Sequence, residues 1–240
     1  MKNSKDPFVI TIPIYNGIDL MDVAAPREVF GWMNASGFDR KVEVYCVSNR
    51  RTVITRDGLK VRRHKSLRSP KVMHPDLIWV PGGEPNMLAQ MLQKPDSAFF
   101  RYVKLAGLTA TYVTSVCEGA ILLAQTGLLD GYEATTHWAF YPCMAAFPNV
   151  NMVQPTVSTD PNSKETTYTY PRYIHSGNRV TGGGISSGLD EAFYLVKLIG
   201  GENGEKIAEQ AAATMQYFPE PPVTGVIAPT NSCPVPGLIS

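Results

Sequence analysis

Thr111 to Val116 run without a break into Cys117, Glu118 and Gly119, and then into the apolar stretch Ala120-Ile-Leu-Leu-Ala124. The first run is rich in β-branched side chains and carries no charge, as a strand buried on both faces requires. The second has helical character. A strand that turns directly into a helix commits the chain to a βα unit, and so to an α/β fold with a parallel sheet. The same turn fixes a cysteine. Held at a sharp backbone bend, its sulfur projects off the end of the sheet, where the following helix aims free N–H groups and a partial positive charge. That arrangement favours a thiolate and is a cysteine version of the nucleophile elbow.

The rest of the chain repeats the alternation. Phe8 to Ile14 reads as the first strand, with Pro13 marking its end or an edge position. Pro26 to Asn34 reads as a helix with proline at its first position. Val42 to Val47 is a strand, and Thr52 to Val61, with Asp57-Gly58 at its middle, a β-hairpin. Leu77-Ile-Trp-Val80 is a wholly apolar strand followed by Pro81-Gly82-Gly83. Helices are expected over 86–92 and 97–105. In the second half, helices are expected over 136–146, 187–198 and 205–214, and strands over 166–173 and 179–181. From Phe218 the chain is proline-rich and reads as a coil. The expected organisation is one domain over residues 1–240, with a core at about 8–215 and a tail at 218–240.

Bulk properties exclude several function classes. With 22 basic and 21 acidic residues, the net charge of +1 gives no reason to expect a nucleic-acid or anionic-membrane partner. No apolar run approaches the roughly 20 residues that span a bilayer. The polar N-terminus lacks the apolar stretch of a signal peptide, so a cytoplasmic location is expected. The four cysteines, Cys46, Cys117, Cys143 and Cys233, include no C-x-x-C pair, and no histidine stands at zinc-finger spacing. Neither a disulfide nor a zinc site is expected. Cys46, in the alternating run Val42 to Val47, reads as a small buried hydrophobe.

In parallel α/β sheets, ligands bind beyond the carboxyl ends of the strands. Three loops there carry unusual residues: Asp19 and Asp22, then Pro81-Gly82-Gly83-Glu84, then the Cys117 turn. A cysteine attacking an electrophilic carbon needs access and donors for the charge that develops. The backbone N–H groups of Gly83 and Glu118 are the candidates, and Gly82 allows close backbone approach. A proton carrier is also needed, and Asp22, Glu84, Glu118 and His137 can serve. The bland readings are an N-cap for Asp22 and a packing residue for His137. Gly182-Gly-Gly184 lacks the spacing of a phosphate loop.

Several blocks resemble the DJ-1/PfpI superfamily, in particular its isocyanide hydratase branch. They are Asp22-Val-Ala-Ala-Pro-Arg-Glu-Val-Phe30, Val80-Pro-Gly-Gly83, Val113-Thr-Ser-Val-Cys-Glu-Gly-Ala120, Gly127-Leu-Leu-Asp-Gly131, Ala134-Thr-Thr-His-Trp138 and Thr181-Gly-Gly-Gly-Ile-Ser-Ser-Gly-Leu-Asp190. The resemblance implies a flavodoxin-like sandwich, a homodimer, and no metal or organic cofactor. It implies a small-molecule substrate, an isocyanide, with Cys117 as nucleophile, Asp22 as general acid and base, and Thr136 and His137 in supporting positions. The chain departs from the branch at Glu118, where some hydratases carry threonine. A carboxylate there is expected to raise the thiol pKa. Regulators of the AraC type contain a similar domain, normally followed by a helix-turn-helix part that is not expected in this chain. A glyoxalase-, amidase- or peptidase-like member is the other alternative, and a contact between His137 and Cys117 would favour it.

Overall fold

The computed structural model describes residues 6–219 and 230–239. Its seven-stranded sheet comprises β1 (Phe8–Pro13), β2 (Val42–Ser48), β3 (Lys65–Ser66), β4 (Leu77–Val80), β5 (Tyr112–Ser115), β6 (Tyr173–Ser176) and β7 (Arg179–Gly182), in the order β6-β7-β5-β4-β1-β2-β3. Every pairing is parallel except β6 with β7 at one edge. The uncharged runs lie where buried strands belong. β4 is buried along its whole length, and β5 pairs between it and β7.

Helices α1 (Leu20–Trp32), α2 (Pro85–Leu92), α3 (Ala98–Thr109), α4 (Gly119–Gln125), α5 (Ser187–Gly200) and α6 (Gly204–Met215) form the outer layers. α1, α5 and α6 pack on one another, and α4 packs on α2, α3, β4 and β5. The buried apolar side chains form one cluster, whose largest fully buried member is Trp79. The expected hairpin is present as Thr52–Ile54 paired antiparallel with Lys60–Arg62. A second hairpin pairs Thr156–Thr159 with Thr166–Thr169. Among the described residues, no helix is long and apolar enough to cross a membrane.

β1 ends at Pro13, the first of the two expected alternatives, and lies inside the sheet, between β4 and β2. Four expectations are corrected. Pro26 is not at a helix start but inside α1. A proline there has no N–H for the carbonyl four residues back, that of Asp22. The Trp79 indole N–H donates to that freed oxygen at 2.9 Å, so the helix continues without a stranded acceptor. The segment after His137 is a 3-10 helix, Trp138–Ala146, with Pro142 inside it. The strand expected over 166–173 is divided between the second hairpin and β6.

The fourth correction concerns cysteine. Cys143 and Cys233 form a disulfide across a sequence separation of 90. Fold, not spacing, brings them together, so no local pattern announces the bond. It ties residues 230–239 to the 3-10 helix, with Val235 buried and Leu238 packed on the core. The part of the proline-rich tail at 220–229 lies outside the described residues. Cys46 is buried, as expected.

Candidate active site

The carboxyl ends of β1, β4, β5 and β7 lie side by side, and the loops leaving them build the site. Cys117 follows β5 with φ +57°, a left-handed conformation that an L side chain adopts only when its surroundings impose it. Those surroundings are visible. The Cys117 N–H donates to Gly183 O at 2.8 Å and to Gly182 O at 3.2 Å, at the end of β7. The Cys117 carbonyl accepts from the Thr136 hydroxyl at 2.8 Å. Thr136 therefore holds the elbow through its backbone.

Asp22 enters from the first turn of α1. Its Oδ2 accepts the Gly82 N–H at 2.9 Å, while its buried Oδ1 has no partner among the described residues. Glu118 folds its side chain back over the next glycine, and its Oε2 accepts the Gly83 N–H at 3.2 Å. Gly82 is the residue that makes this possible. A Cβ there would collide with Glu118 Oε2 and would lie 2.8 Å from the Cys117 Cβ. Asp19, just before α1, adds a third carboxylate, ion-paired with Arg56 at 3.0 Å.

One ligand atom from each of Asp19, Asp22, Cys117 and Glu118 lies within 4.8 Å of the other three. All four residues are buried, with 5%, 1%, 1% and 4% of their surfaces exposed. These atoms could converge on a cation. The carboxylates already face positive partners, however: the Gly82 and Gly83 N–H groups and the Arg56 guanidinium. A shared proton fits the cluster better than a metal ion.

Electrostatics follow from this crowding. Burial is the main cause that pushes Asp22 well above the usual carboxylate range; the charge on Glu118 adds to it and the Gly82 N–H opposes it. Burial likewise raises Glu118, against the hydrogen bonds it accepts from the Cys117 thiol and the Gly83 N–H. Cys117 is pushed well up by burial, then by Asp22 and Glu118, with the Ile185 N–H opposing. These effects favour the thiol over the thiolate expected from the turn alone. α4 has only seven residues, and two carboxyl groups beside the sulfur outweigh its dipole.

His137 lies in the same region but plays another part. Its Nδ1 accepts the Ala139 N–H at 3.2 Å, capping the 3-10 helix, and its ring packs against Gly184. Among the described residues no hydrogen bond joins it to Cys117. Glu84, the remaining candidate acid, caps α2 by accepting from Asn86 and Met87. Two groups that sequence reasoning passed over also belong here. The Tyr15 hydroxyl donates to Pro81 O at 3.0 Å and steadies the glycine loop. Glu191 on α5 lies fully buried against Gly182, with both oxygens unpartnered among the described residues. Its place beside Asp190 in a helix that also carries Lys197 gave no sign of this.

A parallel α/β sheet carrying a buried cysteine on a strained elbow, faced by carboxyl groups from neighbouring loops, defines a class of protein. The chain belongs to the DJ-1/PfpI family, whose model matches residues 9–198. It is 30% identical over 171 residues to an isonitrile hydratase of Pseudomonas putida, covering 71% of this chain and 63% of that protein. The chain thus matches less than two thirds of that relative's length. A THiJ/PfpI family protein of Pseudomonas syringae is similar in structure, with a TM-score of 0.70 and 25% identity over 91% of this chain and 78% of that one. An AraC family transcriptional regulator of Pseudomonas putida shares the fold, with a TM-score of 0.60 and 15% identity over 87% of this chain and 100% of that one.

Proposed function

We propose that this protein hydrates an isocyanide to an N-substituted formamide, with Cys117 as nucleophile and Asp22 as general acid and base. The observation that carries the reading is the placement of Asp22: its carboxyl group lies within 4.8 Å of the Cys117 sulfur, with one oxygen fixed by the Gly82 N–H and the other buried and without a partner among the described residues. Likeness to the hydratase of Pseudomonas putida supports the choice of substrate.

The chemistry suits the site. The terminal carbon of an isocyanide bears no substituent, so a slim, uncharged rod can reach a sulfur that is almost fully buried. The S–H bond breaks as sulfur bonds to that carbon, its proton passing to a neighbouring carboxylate, and protonated Asp22 supplies the C–H proton, leaving a thioimidate. The Asp22 carboxylate then takes a proton from water as the hydroxyl adds to the same carbon. After a proton reaches nitrogen, the carbon–sulfur bond breaks and formamide leaves. In this reading the raised pKa of Asp22 is what allows it to start as an acid.

The test is incubation of the purified protein with an alkyl isocyanide, following formamide by mass spectrometry. Wild type should turn over and Cys117→Ala should not, with its fold retained by circular dichroism. If wild type forms no formamide while its Cys117 thiol remains reactive, the hydratase reading fails and a ligand-binding role takes its place.

A further inference from the structure

We propose that Glu118 is a further catalytic residue, the group that takes the proton from Cys117 Sγ as the sulfur attacks and returns it when the sulfur leaves. The proposal deepens the hydratase reading, but its central test does not need the substrate.

Three features of the geometry support it. A Glu118 carboxylate oxygen lies within 4.8 Å of the Cys117 sulfur, and its interaction with the thiol favours the carboxylate form. The Gly83 N–H donates to Oε2, which fixes the carboxylate over the sulfur. The backbone is shaped for that carboxylate, since any side chain at residue 82 would occupy its place. Asp22, by contrast, is held by Gly82 and keeps Oδ1 free for the carbon and the water. The two carboxyl groups therefore divide the work: one serves the sulfur, the other the carbon.

The protons balance. At the start Cys117 is a thiol, Glu118 a carboxylate and Asp22 a carboxylic acid. The S–H bond breaks towards Glu118, the S–C bond forms, and Asp22 supplies the C–H proton. Water adds to the carbon and its proton restores Asp22. Glu118 gives its proton to nitrogen, takes the hydroxyl proton as the C–S bond breaks, and returns it to sulfur. The sum is isocyanide plus water giving formamide, with every side chain as it began.

Other titratable groups face this pair. Asp22 comes from α1 and Asp19 from the preceding loop, itself paired with Arg56. The Tyr15 hydroxyl lies at Pro81, Glu191 approaches from α5, and His137 stands at Gly184. Single changes at Glu118 and Asp22 separate their effects.

The experiment measures the rate of Cys117 alkylation by iodoacetamide against pH in wild type, Glu118→Gln and Asp22→Asn, with Cys117→Ala giving the Cys46 background. Loss of the negative acceptor should make the Glu118→Gln thiol ionise more readily, moving its midpoint at least one pH unit lower than in wild type. Where wild type produces formamide, the same variant should lose about 100-fold in kcat. A lowered midpoint with an unchanged high-pH plateau rate, together with slower turnover, is the signature, because simple loosening of the elbow would expose the buried sulfur and raise the plateau itself. An unshifted Glu118→Gln midpoint, or formamide production at the wild-type kcat, overturns the proposal. A shifted midpoint in a protein that makes no formamide upholds the Glu118–Cys117 proton pair and sinks the hydratase reading instead.

Discussion

Reducing the Cys143–Cys233 bond offers a quantitative test of the fold. The cross-link joins residues 90 apart in sequence. Chain-entropy reasoning assigns a loop of that length about 4–5 kcal/mol, and removal of a native disulfide typically costs about 2–5 kcal/mol. With a urea m-value of about 3 kcal/mol per molar, near the upper end for small proteins, a loss of about 2–5 kcal/mol lowers the unfolding midpoint by about 0.7–1.7 M. The assay is urea unfolding followed by circular dichroism, with and without dithiothreitol, at one protein concentration. A thiol count on denatured, unreduced protein accompanies it. It should find the two free cysteines, Cys46 and Cys117, and not four. Four titrating thiols, or coincident unfolding curves with and without reductant, would refute the reasoning. The first would show that the bond is absent, the second that it does not constrain the unfolded chain.

Three further outcomes are expected. Gly82→Ala sets a new Cβ at 2.8 Å from the Cys117 Cβ and displaces the Glu118 carboxylate; displacement approaching 1 Å at a reacting centre costs about 100-fold in turnover, read as kcat/KM with the urea midpoint as control. Asp22→Asn should retain an alkylatable Cys117 and lose at least about 100-fold in kcat, because the amide cannot carry the proton. Burial, followed by the charge on Asp22, raises Glu191 well above the usual carboxylate range. The stability tied to its protonated form is full below the unfolded carboxyl pKa, about 4.3, and is lost as pH rises through the folded value. Glu191→Gln should therefore reduce the fall in urea midpoint from acidic to neutral pH; an unchanged pH slope counts against burial as its cause.

The parts of the fold legible in sequence are those set by local composition. The uncharged runs of β4 and β5 predict their own burial, and Asp57-Gly58 predicts its hairpin. Pro26 and the two bonded cysteines were misread because their partners are distant: an indole 53 residues away and a thiol 90 residues away. At the site, Cys117 and Asp22 were visible as residue types near strand ends. The direction of the Glu118 side chain was not, since it depends on the space left by Gly82 on another loop. The thiol's upward shift comes first from burial and then from Asp22 and Glu118, and of these the sequence signalled only the carboxylate at 118.

The hydrogen bonds from the Cys117 N–H to Gly182 O and Gly183 O have a consequence for the order in which the protein is made. Translation proceeds at about 5–20 residues per second, so the 66 residues from Cys117 to Gly183 take roughly 3–13 s to add. Through that interval the nascent chain holds its sulfur without the carbonyls that clamp the elbow. Cys117 is then an ordinary cysteine on an unfinished sheet, open to any oxidant it meets. The clamped elbow is therefore completed late and all at once, when β7 docks beside β5.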